Sequence, residues 1–105
     1  MKGFNFVILP TAGPLGNPIP ESELEPWYNS ARAAFANAFG GYTESEALGG
    51  WVAGSGFTVS EPVRILEAFG DDKPEVRARV AQTLKAGLGQ AAVMVGFKPG
   101  SAEFI

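Results

Sequence analysis

The sequence predicts an α+β domain of order βαββαβ, with an antiparallel four-stranded sheet and two helices on one face. Three observations predict it. Two stretches carry apolar residues at helical spacings of three and four. Apolar segments of strand length stand before, between and after them. Glycines at Gly54 and Gly56 permit the positive φ that a tight hairpin turn needs. This is the split βαβ, or ferredoxin-like, plan. A chain of 105 residues forms one domain, residues 1–105, with a core near the lower size limit for independent stability.

Gly3–Pro10, "GFNFVILP", is rich in aromatic and β-branched residues and reads as a buried strand closed by proline. "TAGPLGNPIP" follows as a loop that no helix can cross. In the first helix Leu24, Trp27, Tyr28, Ala31, Phe35, Ala38 and Phe39 share one face. Pro26 suits only the start of a helix, so the regular helix is expected from Glu25, with "ESEL" as a turn before it. Gly40 and Gly41 stop it. A hairpin follows, its turn in "VAGSGF" and its glycine pairs placed in turns and bulges. Its second strand is Glu61–Phe69. Asp71 or Asp72 is expected to cap the second helix, whose buried stripe is Val76, Val80, Leu84 and Leu88. Gln90–Phe97 reads as the last strand, and the tail "KPGSAEFI" as an edge strand or a contact with a neighbour.

Composition excludes several functions. The chain has no histidine and no cysteine, which removes disulfides, thiolate nucleophiles, the usual zinc sites and an imidazole base. Ser55, Thr58 and Ser60 therefore have no histidine to activate them. Neither a metal nor a cofactor is expected: Glu44 and Glu46 share a strand face but offer only two hard ligands. A net charge of −3, with scattered cations, argues against nucleic acid. No apolar run approaches the ~18 residues of a membrane span. The N-terminal segment reads as a strand and not as a signal peptide, so a cytoplasmic location is expected.

The strands are apolar on both faces, and two helices on one side leave the other face uncovered. Such a face is rare on a monomer, so identical subunits are expected to cover it, as a dimer or a trimer. Four residues stand out as candidates for a site. Glu61 opens a strand and reads either as a solvated strand end or as an anchor for a ligand's amino or hydroxyl group. Glu44 is either an exposed strand glutamate or half of a carboxylate pair. Trp51 and Tyr42, each next to glycine, could stack on a ring, and Trp51 could instead fill a subunit interface. The glycine pairs fit no phosphate-binding fingerprint.

From Phe39 to Phe69 the layout "FGGYTE…GGW…G…EPVRILEAF" resembles the bacteriophage S-adenosylmethionine lyases. Through them it resembles the trimeric PII and CutA proteins, and this favours the trimer. It also resembles small ferredoxin-like proteins without assigned chemistry. The lyase resemblance implies an adenosyl ligand between subunits. The ligand's own carboxylate would displace methylthioadenosine, leaving homoserine lactone, with Glu61 holding the amino group and backbone carbonyls facing the sulfonium. Positioning and electrostatics would carry such a reaction. The lyases have a tyrosine where this chain has Trp51. The alternative is a non-catalytic regulatory or protein-binding oligomer.

Overall fold

A computed structural model describes residues 1–13, 16–52, 54–103 and 105, with Trp51 described by its backbone alone. The elements are β1 (Lys2–Leu9), α1 (Glu21–Phe39), β2 (Thr43–Val52), β3 (Thr58–Asp71), α2 (Pro74–Leu88) and β4 (Val95–Pro99). All strand pairs are antiparallel, in the order β2-β3-β1-β4. The fold is the expected ferredoxin-like βαββαβ sheet with two helices on one face.

Alternation along β1 divides the layers. Gly3, Asn5, Val7 and Leu9 are buried beneath the helices, while Phe4, Phe6 and Ile8 lie half-buried on the other side. Helix α1 brings Leu24, Tyr28, Ala31 and Phe35 to Val7, Leu9, Leu66 and Ala68, and α2 adds Val76, Val80 and Leu84. Helical and strand periods thus converge on one core. The helices cross where Trp27 lies on Gly87: a Cβ on Gly87 would come within 2.5 Å of the indole ring.

Several boundaries differ from the sequence expectation. Helix α1 begins at Glu21, not Glu25, with Pro26 inside it. Pro26 forfeits the hydrogen bond to the Ser22 carbonyl and crowds that carbonyl, a cost offset by the burial of Leu24 in the core. Neither Asp71 nor Asp72 caps α2. Lys73 takes that position without a side-chain cap. Asp71 ends β3, and the Asp72 carboxylate instead accepts from Arg77 at 2.6 Å. Strand β3 starts at Thr58 and ends at Asp71, longer at both ends than Glu61–Phe69. Strand β4 spans Val95–Pro99 in place of Gln90–Phe97, because the Gln90 side chain instead donates to the carbonyls of Ala12 and Leu88. Gly49 and Gly50 form no bulge: they stay in register opposite Glu61 and Ser60. The hairpin turn lies where expected, but only Gly56, at φ 89°, and not Gly54 takes a positive φ; Ala53 lies outside the described residues.

One further feature positions the site. Strand β1 leaves β3 at Arg64, yet the β2–β3 ladder continues from Ala47↔Val63 to Val52↔Thr58. The hairpin therefore extends as a two-stranded arm, and the molecule measures 44 × 28 × 25 Å.

Candidate functional site

The densest polar cluster joins α1 to the root of this arm. Helical spacing puts Glu25, Asn29 and Arg32 on one face. Glu44 enters β2 opposite buried Leu66, which turns its side chain towards α1. Arg32 Nε donates to Glu44 Oε1 at 2.7 Å and Nη2 to Oε2 at 2.9 Å, a bidentate pair. Arg32 Nη1 also donates to Glu25 and Asn29 at 3.0 and 2.9 Å. Arg64 donates to Glu44 at 3.2 Å and lies 3.5 Å from Glu21. Both guanidinium carbons sit 5.6 Å from the centre of the Tyr28 ring. The Tyr28 hydroxyl donates to the Pro10 carbonyl.

This arrangement settles the ionisation of each member. The hydrogen bond from Arg32 holds the Glu44 carboxyl below the usual carboxylate range against the effect of burial. Burial pushes the Tyr28 phenol up to about 12, with the Arg64 charge opposing. The hydrogen bond to Glu44 holds Arg32 more firmly protonated. Burial works against the Arg64 charge, but Glu44 and Glu21 outweigh it. The cluster is built to stay charged, and Tyr28 to stay neutral, at physiological pH. It braces the fold and does not suit proton transfer, which needs a pKa near the working pH.

A pH dependence follows from these directions. A carboxyl held low in the fold stabilises it above its unfolded value near 4.5, and that contribution is lost as pH falls through the lower folded value. Glu44→Gln is expected to cost about 1–2 kcal/mol at pH 7. Urea denaturation should show the gap to wild type closing below about pH 4. Tyr28, neutral in the fold and ionised in the unfolded chain above pH 10, should erode stability between pH 10 and about 12.

Beside the cluster lies a cleft of about 420 Å³ between the start of α1 and the arm. Thr11, Glu21, Tyr28, Glu46 and Arg64 supply its polar wall, and Leu24, Leu48 and Pro62 its apolar one. Thr11 donates to the Pro62 carbonyl and ties the loop after β1 to the arm.

The four residues singled out in the sequence do not form one cluster: Glu61 and Trp51 stand as diagonal neighbours on one face of the arm, while Glu44 and Tyr42 lie apart from them. Glu44 is engaged by Arg32 and Arg64. Glu61 pairs with Gly49, which places it on the face opposite Glu44. It lies five residues along β3 from Leu66, the partner of Glu44, roughly 17 Å at the strand rise. Tyr42 is exposed at the base of the hairpin. Trp51 stands opposite Val59 near the tip, roughly 30 Å from Tyr42, and its side chain lies outside the described residues. Glu46 shares the face of Glu44, as its two-residue spacing implies, but Arg32 and Arg64 take up the Glu44 oxygens that a carboxylate pair would use.

Sequence reasoning missed Arg32, Arg64 and Tyr28 as a unit. The Glu25–Arg32 helical spacing was the one local signal; the meeting with Glu44 depends on how α1 lies across the sheet. Among the described residues no group of three acidic side chains gathers as a cation site. No helix among them is long and apolar enough to cross a membrane.

Fold and cluster together define a ferredoxin-like α+β protein with a braced, projecting hairpin. No family model matches the chain, and no curated protein sequence does. Among solved structures, the chain is similar to the periplasmic divalent cation tolerance protein CutA from Archaeoglobus fulgidus. The TM-score is 0.59 at 12% identity, over 99% of this chain and 88% of the other. The CutA side of the resemblance is a likeness of fold.

Proposed function

We propose that this chain is a single-domain, homo-oligomeric ferredoxin-like protein that holds a small ligand between subunits. The observation that carries this reading is the open side of the structure. Phe6, Ile8 and Ile65 form a half-buried apolar strip on the sheet face without helices. On the arm, Leu48, Val52 and Phe57 are 82%, 69% and 75% exposed. A two-stranded ribbon is marginally stable alone in water; a neighbouring copy on the open face covers the strip, and one that also embraces the arm covers Leu48 and Val52, which stand on the same face as Glu44 and Glu46. A trimer is the preferred state, by resemblance to the PII and CutA proteins. A cytoplasmic location belongs to the same proposal, although the solved neighbour is described as periplasmic.

Two forms of this function differ in chemistry. In the enzymatic form the ligand is S-adenosylmethionine and Glu61 holds its amino group. The placement of Glu61 on the open face, away from its own helices, supports a site completed by a second subunit. In the binding form the oligomer is regulatory and cleaves nothing. The inert ionisation of the Arg32–Glu44–Arg64–Tyr28 cluster does not separate the two forms, because the lyase reaction needs no base and its Glu61 lies on the other face. A divalent cation, suggested by the neighbour's description, would need carboxylates from more than one subunit.

Light scattering after size exclusion should give an oligomer, and Ile8→Lys with Ile65→Lys should give a folded monomer. A wild-type monomer ends the proposal. Incubation with S-adenosylmethionine separates the two forms. Methylthioadenosine that disappears with Glu61→Gln establishes the lyase, and a trace equal to the blank leaves the binding form.

A further inference from the structure

We propose that the groove at the base of the hairpin binds a small methylated or quaternary ammonium ion. Helix α1 ends at Phe39, and Gly40, at φ 83°, reverses the chain. Tyr42 is thereby placed at the foot of β2. Strand β2 begins opposite Glu67, whereas β3 runs on to Asp71. Residues 68–71 of β3 therefore have β1 on one side and no β2 residue on the other. A groove of about 380 Å³ occupies that notch, with Phe4, Phe39, Tyr42, Phe69, Glu67 and Glu103 in its walls.

The chemistry of these walls selects a charge and a type of ion. Four aromatic residues and two carboxylates stand in the walls of the groove, and no lysine or arginine is among the described residues that line it. Phe4 and Phe69 form a tilted pair with centroids 5.3 Å apart. Phe39 already has an ammonium, Lys73 Nζ, 5.5 Å from its ring centre, and its other contacts include a close approach to Gly70. Tyr42 is 45% exposed and carries an aromatic surface that no core contact uses. Aromatic walls with an acidic surround suit a weakly hydrated organic cation. A hard metal ion needs six or more oxygen ligands, and a neutral apolar molecule gains nothing from Glu67 and Glu103. One chain supplies the whole groove. It lies at the end of the open face, beyond the central strip of Phe6, Ile8 and Ile65, with Glu67 shared between the two.

Choline and its uncharged isostere 3,3-dimethylbutan-1-ol test the proposal at low ionic strength, by calorimetry with amide shifts mapped by NMR. Choline is expected to bind, with shifts centred on residues 39–43 and 67–69. The alcohol should bind about tenfold more weakly or worse. Tyr42→Ala should weaken choline binding by about three- to tenfold, whereas Tyr42→Phe retains it. Glu103→Gln, in the exposed tail, should weaken it about twofold or more without touching the fold. Equal binding of choline and the alcohol overturns the proposal. So does unchanged affinity in both Tyr42→Ala and Glu103→Gln, or the absence of heat and shifts at tens of millimolar choline.

Discussion

Gly3→Ala is expected to loosen β4 from the sheet and to cost on the order of 3 kcal/mol. Gly3 is buried in β1, opposite Gly70 on one side and Pro99 on the other. A methyl group there would overlap the Lys98 carbonyl oxygen and lie 2.8 Å from both Pro99 Cα and the tip of the Phe97 ring. Two of these three obstacles are backbone, so no rotamer change relieves them. The β1–β4 ladder is short, from Gly3↔Pro99 to Val7↔Val95, and it yields before the central β1–β3 pair does. Thermal unfolding should fall by roughly 10–20 °C. Hydrogen exchange should show the amides of β4 losing protection while those of β2 and β3 keep theirs. Gly54→Ala, where an added Cβ meets nothing within 4 Å, is the control and should change the midpoint little. A Gly3→Ala protein as stable as wild type would mean that β4 does not sit as described.

Asn5→Ala is expected to cost about 2–4 kcal/mol, because it takes one buried hydrogen bond from each of three polar groups. Asn5 is fully buried. Its amide donates to the Asp71 carbonyl at 2.9 Å. Its carbonyl accepts from the Lys73 backbone N–H at 3.2 Å and from Arg77 at 2.6 Å. One side chain in the middle of β1 thus pins the corner where β3 turns into α2. Arg77 completes the corner through Asp72 at 2.6 Å and stands over the Phe97 ring at 5.8 Å. A double-mutant cycle with Arg77→Met should show coupling of about 1 kcal/mol or more. Additive effects in chemical denaturation would count against the network.

Neither residue announces itself in the sequence. Asn5 interrupts an apolar run and looks like a flaw in a strand; its three partners lie 66 or more residues away. Gly3 looks like a strand-end glycine, and its need for space comes from β4, at the far end of the chain. Helix α1 was legible because its apolar residues recur every three or four positions. Its start lies earlier than an interior proline implies, because the burial of Leu24 outweighs the cost of Pro26. The hairpin turn was legible from Gly54 and Gly56, but the length of its arm was not, since no local signal says where β1 stops pairing with β3. Gln90–Met94 has strand-like composition, yet the Gln90 amide is used on carbonyls at the end of α2 and in the loop after β1.

The candidate residues divide in the same way. Spacing alone placed Glu44 and Glu46 on one face, because a strand's period is two. That the face points at α1, and that Arg32 and Arg64 meet Glu44 there, depends on how the helix lies across the sheet. Tyr42, chosen for an aromatic ring next to glycine, lines a groove whose other rings come from β1, α1 and β3.

By itself, then, the sequence determined the element order, the two-faced apolar strands and the exclusion of histidine and cysteine chemistry. These depend on residue type and short-range period, which any stretch of chain carries within itself. Only the tertiary structure decided which carboxylates are neutralised, where the arm leaves the sheet and which aromatic rings share a groove. Those are contacts between residues far apart in the chain, and packing two helices onto one face of one sheet is what brings them together.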